Sequence, residues 1–439
     1  MSKSIKYINT GNDWYPEIPE HWNLKKIKYQ TKFLNGYAFK ADEYVTEDGI
    51  PIIRIGDVKN PIDLSNCIQV PKSYLEKTAN WKVNRNDILL ALTGATIGKS
   101  AIFDNDELAL LNQRVGIIRP LEGVLNTYLK FIVNSDTFRK FVFLECDGGA
   151  QENIGKEEIG NYSIPLPSEK EQIEISNFLD QKTAEIDHLI SKKQKLIKCL
   201  KEERIEIINQ AVIGNLSHSI KKKPSGFDWV PTIPENWTTN KIKNVTKIFG
   251  RIGYRGYQTS DLVNEGEGAI TLSPSNMKEF EMDFSKCTYL SWFKYNESPE
   301  IQIANGDILF VKTGSTYGKT SLVKNLPEKA TINPQLLVFK EVKINSEFFY
   351  YVLLSQLIQA QVSISVIGGT IPTISQEKIG NYYLFVPPVD EQIEIVKMIN
   401  QHLDYTSFAI SKVEQEIELI KEYRTALINE VVTGKITLN

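Results

Sequence analysis

The sequence predicts an α+β protein in which two mixed α/β globules are separated by two long helices pairing as an antiparallel coiled coil, with a pseudo-two-fold internal repeat. Three observations predict it. Nearly all of the 439-residue chain is two copies of one pattern, each copy opens with short apolar runs bounded by turn residues, and each closes with heptad-spaced apolar positions.

The repeat starts with WYPEIPEHWNLKKIK from Trp14, answered by WVPTIPENWTTNKIK from Trp229. NDILLALTGATIGKSAIF from Asn86 returns as GDILFVKTGSTYGKTSLV from Gly306, an offset of 220. That offset then holds. IGNYSIPLP from Ile159 answers IGNYYLFVP from Ile379, EQIEI from Glu171 answers EQIEI from Glu391, and AVIGNL from Ala211 answers VVTGKI from Val431. Between these blocks the copies share almost nothing, notably Asn35 to Asn84 against Gly250 to Asn305. One scaffold carrying two different details is implied.

Within each globule, IPIIRIG from Ile50, DILLALTG from Asp87 and RVGIIRP from Arg114 read as strands. Helical spacing covers Asn126 to Phe143 and Ser346 to Val362. After Pro165-Leu166-Pro167, Ser168 followed by Glu171 has capping-box spacing, so a helix is expected to start there. Its seam runs through Ile186, Ile190, Lys193, Ile197, Leu200, Arg204, Ile207 and Ala211, with Gly214 as the stop. The second seam is Thr406, Ile410, Val413, Ile417, Ile420, Arg424, Leu427 and Val431, ending near Gly434; there Pro388 stands where a cap is wanted. Lys193, Arg204 and Arg424 interrupt the seams, either as solvated heads on buried stems or as points that meet a partner.

These elements divide the chain into a first globule at 1–167, a first spacer helix at 168–223, a second globule at 224–387 and a second spacer helix at 388–439. A helix of about 44 residues would be roughly 65 Å long. Two readers held apart by such a ruler suit two half-sites on DNA. The same ruler would equally space two protein-binding or glycan-binding modules, making a two-headed adaptor the alternative.

Composition excludes some chemistry. The first residues, MSKSIKYINTGNDWYP, lack a signal-peptide run and no stretch matches a membrane span, so a cytoplasmic protein is expected. Cys67, Cys146, Cys199 and Cys287 are too scattered for a zinc cluster or a disulfide framework. His21, His188, His218 and His402 do not cluster either, and no metal site or nucleophile pair is indicated. TGATIGKS and TGSTYGKT have three residues between their glycines where a Walker loop needs four. Asp57-Val58-Lys59 and Asp180-Gln181-Lys182 fit a loose nuclease pattern that chance supplies in most chains. No catalytic residues are expected.

If the globules bind DNA, repeated residues should position and divergent ones should read. The turn residues Thr93, Lys99, Thr313 and Lys319 are candidate phosphate contacts. Candidate base readers are Arg54, Lys59, Lys72, Arg251, Tyr254, Arg255 and Tyr257, with Gln151, Asn153, Thr370 and Thr373 after the paired glycines at 148–149 and 368–369. Residues 14–165 carry 18 basic and 20 acidic side chains, and 229–386 carry 15 and 14. Binding therefore rests on local patches, and partners must supply much of the phosphate neutralisation.

In their order and duplication, WYPEIPEHW, NDILLALTGATIGK, IGNYSIPLPSEKEQIEISNFLD and KEERIEIINQAVIGNL resemble type I restriction-modification specificity subunits. The resemblance spans nearly the whole chain. It implies that the globules are target recognition domains, each reading half of a bipartite site in double-stranded DNA. It implies that the helices are spacers docking two modification subunits, on faces around Lys193, Arg204 and Arg424. Those subunits would bring S-adenosylmethionine and methylate adenine, while restriction subunits, using ATP and Mg, would cut unmodified DNA. This chain itself would hold no cofactor.

Overall fold

The computed structural model describes residues 6–146, 153–216, 221–251, 253, 256–365 and 372–438. The chain forms two compact units, Met1–Lys193 with Glu414–Asn439, and Gln194–Val413. Each unit therefore takes one globule together with a segment of each long helix.

In the first unit, the central antiparallel sheet has the order Thr31–Asn35, Val115–Pro120, Ile88–Ala91, Ser100–Ile102. The strand Ile88–Ala91 is apolar throughout because both of its faces are covered. Ile88 and Leu90 join a core with Tyr128, Leu129, Phe138 and Tyr162, while Leu89 and Ala91 join a second core with Ile53, Val58 and Phe103. The second sheet contains Gln69–Val70, Ile50–Ile53, Ala109–Leu111 and Lys82–Val83 in that order, with Ile50–Ile53 and Ala109–Leu111 parallel.

The second unit repeats this plan. Its central sheet runs Lys247–Gly250, Leu336–Lys340, Ile308–Val311, Thr320–Leu322, and Ile308 and Phe310 face one core while Leu309 and Val311 face the other. Its other sheet is Leu262–Val263, Tyr289–Ser291, Gly268–Leu272, Ala330–Ile332, again with one parallel pair. The two sheets thus share three strands in one arrangement, two of them from the segments without visible sequence similarity. The fourth strand of each unit is reduced in the other to a single bridge, Val45 to Gln69 and Ile303 to Ala330.

An ion pair, buried at Asp87 and partly buried in the second unit, ties the central strands in both units. Asp87 is 5% exposed and takes two hydrogen bonds of 2.6 Å from Arg119; Asp307 meets Lys340 at 2.8 Å. The helical patterns resolve into Asn126–Asn134 with Asp136–Leu144, and Ser346–Leu354 with Gln356–Ser365. The spacing alone predicts continuous helices, but Ser135 and Ser355 are extended, and the Ser135 hydroxyl accepts the Phe138 N–H to start a new helix.

The long helices are Glu169–Val212 and Val389–Val432. Ser168 and Glu171 form the expected capping box, with Glu171 accepting the Ser168 N–H at 3.1 Å. The second helix starts without one. Gln392 does the bracing instead: its side chain donates to Pro387 O at 2.9 Å and accepts the Asn345 N–H at 2.8 Å, as Gln172 does with Pro167 and Leu125. Both helices stop in a Schellman motif with glycine at positive φ, Gly214 at 71° and Gly434 at 73°.

The helices pack antiparallel, since partners descend along the second as the first is climbed. Asp187 meets Arg424 and Lys193 meets Glu416 in the first unit, and Arg204 meets Thr406 in the second. The seam is buried at Ile186, Arg204 and Ala211 of the first helix and at Thr406, Ile410, Val413, Ile417, Leu427 and Val431 of the second.

Candidate nucleic-acid interface

The repeated turns adopt one geometry in both units. After Ile88–Ala91 the chain makes a tight turn from Gly94 to Thr96, and Gly98 sits against Val142 of the helix Asp136–Leu144; Gly318 lies in the same way against Val362. Thr93 forms a backbone bridge to Asn153, and Thr313 forms the matching bridge to Thr373, whose hydroxyl donates to Thr313 Oγ1 at 3.4 Å. The turn thus meets, in each copy, the segment following the paired glycines. Residues expected to contact phosphate and residues expected to read bases are therefore neighbours. Gln151, Tyr254, Arg255 and Thr370 lie outside the described residues.

Lys59 and Lys99, far apart in sequence, line one concave surface of about 380 Å³. Arg139 completes it from the helix Asp136–Leu144, and sequence reasoning missed this residue because its helix looked like scaffold. Its signal was present in the repeat, where Gln359 stands at the 220 offset.

Other candidates are placed differently. Arg54 is half-exposed beside Asp57 at 3.7 Å, and Lys72 is exposed and paired with Asp48. The hydrogen bond from Lys72 holds the Asp48 carboxyl below its ordinary range. Arg251 is only 4% exposed. It donates to Ile332 O and Thr331 Oγ1 at 3.1 Å and stacks on Tyr257, so it braces the sheet from inside; burial pulls its pKa down. Tyr257 accepts from Thr271 in turn. Lys319 is partly buried, with its backbone N–H on Thr316 O.

On the helices, Lys193 pairs with Glu416, and Arg424 with Asp187 at 3.2 Å. Arg204 is 7% exposed; it donates to Thr406 and Ser407 and stacks over Phe280. It is a buried strut between helix segments and a globule of one unit.

The repeated blocks at the unit ends also find their use. Trp22 donates to Glu171 at 3.3 Å and Trp237 to Glu391 at 2.8 Å, joining the opening block of each copy to its helix start. The helix stops close the other side, where Gly214 abuts Pro234 and Gly434 abuts Pro19.

This duplicated framework matches, twice, the family model of the type I restriction modification DNA specificity domain, over residues 19–198 and 234–419. The chain belongs to that family. A specificity subunit is the DNA-recognition component of a type I restriction-modification complex and has no catalytic role. This one is 21% identical over 437 residues to the EcoKI specificity subunit of Escherichia coli K12, covering 96% of this chain and 90% of the relative. It is 24% identical to the EcoBI specificity subunit of Escherichia coli (99% and 90% covered) and 23% identical to the MjaVIII specificity subunit of Methanocaldococcus jannaschii (95% and 94%).

Two solved structures share the fold. The HsdS subunit from Thermoanaerobacter tengcongensis aligns with a TM-score of 0.52 at 14% identity, covering 95% of this chain and 98% of its own. A chain from a structure of complex assembly and conformational transition in a type I restriction-modification system aligns at 0.62, also at 14% identity, covering 95% and 99%. Among the described residues of the specificity subunit, no helix is long and apolar enough to cross a membrane.

Proposed function

We propose that each unit of this specificity subunit reads one half of a bipartite duplex DNA target, and that the paired helices set the spacer and dock two adenine methyltransferase subunits. The observation that carries this reading is the same turn, bridged to the same following segment, presented beside divergent segments in both units. A repeated contact suits the phosphate backbone, which is alike in every sequence, and a divergent neighbour suits the bases. Lys72, Asn153, Tyr257 and Thr373 remain the base-reading candidates with half-exposed Arg54; Thr93, Lys99, Thr313 and Lys319 remain the phosphate candidates, and Lys59, which lines one concave surface with Lys99, moves from the base readers to join them.

Docking is supported by exposed apolar side chains on the second long helix, Tyr405 and Phe408 in one unit and Leu419 and Tyr423 in the other, 59 to 69% exposed. Lys193 and Arg424 stay partly exposed in their ion pairs with Glu416 and Asp187, whereas Arg204 is buried. S-adenosylmethionine would enter with the modification subunits, and ATP and Mg with restriction subunits. The test is reconstitution with an adenine methyltransferase encoded beside this chain, followed by methylome sequencing and footprinting. A two-part methylated motif with a fixed unread gap is expected; failure of the subunits to co-purify, or a continuous motif, overturns the proposal.

A further inference from the structure

The two units present unequal charge to a phosphate backbone. In the first, Lys59, Lys99 and Arg139 line one concave surface, all three are exposed, and none makes an ion pair or side-chain hydrogen bond among the described residues. Thr96 lines the same surface, and its hydroxyl oxygen, itself buried, has no hydrogen-bond partner among the described residues. Lys59 feels the Asp63 carboxylate without pairing with it, and three cations around one concavity repel each other, an arrangement that an anion relieves.

The second unit has the same backbone with different chemistry. Its short 3-10 turn Pro274–Asn276 follows Gly268–Leu272 as Ile55–Asp57 follows Ile50–Ile53, and each turn is capped alike: Ser273 N–H donates to Asn276 and Arg54 N–H to Asp57. Two residues beyond each turn stand Lys278 and Lys59. Lys278, however, is paired with Asp283 at 3.5 Å. At the position of Arg139 stands Gln359, which is neutral and spends its amide on Gly318 O and Leu353 O at 3.0 and 2.8 Å. Lys312, where the first unit has Leu92, is no substitute: its ammonium lies against Gly250, and burial lowers its pKa. Of the three matching positions, only Lys319 keeps a cation without an ion pair among the described residues.

We infer that Lys59, Lys99 and Arg139 form a cradle for DNA backbone phosphates that is present in the first unit and dismantled in the second, so the two units grip duplex unequally. The inference rests on the DNA-reading function proposed above. A cradle of this kind adds affinity and salt dependence without adding sequence information.

The experiment measures binding of the reconstituted complex to a cognate duplex and to a scrambled duplex across a salt series. Lys59→Ala/Lys99→Ala/Arg139→Ala should reduce the slope of log K against log salt by about 0.9 for each phosphate no longer neutralised, up to about 2.7. It should weaken cognate and scrambled duplex by similar factors and leave the methylated motif unchanged. Lys278→Ala/Lys319→Ala should move the slope less. The melting temperature of the complex checks that both variants remain folded. If the wild-type complex binds with a salt slope that the triple substitution leaves unchanged, or that the second-unit pair lowers as much, the inference is overturned alone. If the wild-type complex binds neither duplex, the DNA reading falls and the inference with it.

Discussion

At the scale of single residues, the repeated blocks are explained by contacts that join an opening block to a helix start or a helix stop. Gly214 and Gly434 occupy left-handed backbone that costs other L-residues roughly 1–2 kcal/mol. A Cβ on either would also strike a proline ring, Pro234 or Pro19, which cannot swing aside. Gly214→Ala and Gly434→Ala should each lower stability by about 1–3 kcal/mol, read as a shift in urea midpoint. An unshifted midpoint would show that the helix stop is not locked to the opening block.

Glu171 gives a second prediction at this scale. Burial raises its carboxyl pKa, but hydrogen bonds from His21, Ser168 and Trp22 outweigh this and hold it below the ordinary 4.5. A depressed native pKa means stability that is present above the unfolded value and lost as pH falls through the folded one. Wild type should therefore exceed Glu171→Gln in melting temperature near neutral pH, with the gap closing as pH is taken below about 4.5. A gap that is constant with pH would show that the carboxylate charge is not what holds the Trp22 block to the helix start.

Among elements, the long helices were the most legible because heptad spacing is a local property and burial follows it along most of the second seam. Their polar interruptions were not legible. Arg204 and Arg424 occupy equivalent places, yet one is buried under Phe280 and the other shares a half-exposed ion pair with Asp187, since their surroundings come from different segments. If the helices set the spacer, inserting one heptad in each, after Lys193 and after Val413, adds about 10 Å of helix. That is about three base pairs at 3.4 Å each. Methylome sequencing should report the same two half-sites with a gap longer by about that amount; an unchanged gap would remove the ruler from the proposal.

For the molecule as a whole, replacing residues 229–386 by the matching segment of a relative should change one half-site and leave the other as it was, again read from the methylome. Loss of both half-sites would mean that the units do not read independently. The duplication, the α+β class, the start of the first long helix, both helix stops and the family resemblance were all written in the sequence, because repetition, periodicity and capping depend on neighbours along the chain. The interface was only partly so. Lys59 and Lys99 were identified singly, Arg139 was missed, and Arg251 was expected at a surface but lies inside a sheet. Which cations converge, and which are neutralised or buried, depends on residues dozens of positions apart that folding brings together, and no local pattern encodes that distance.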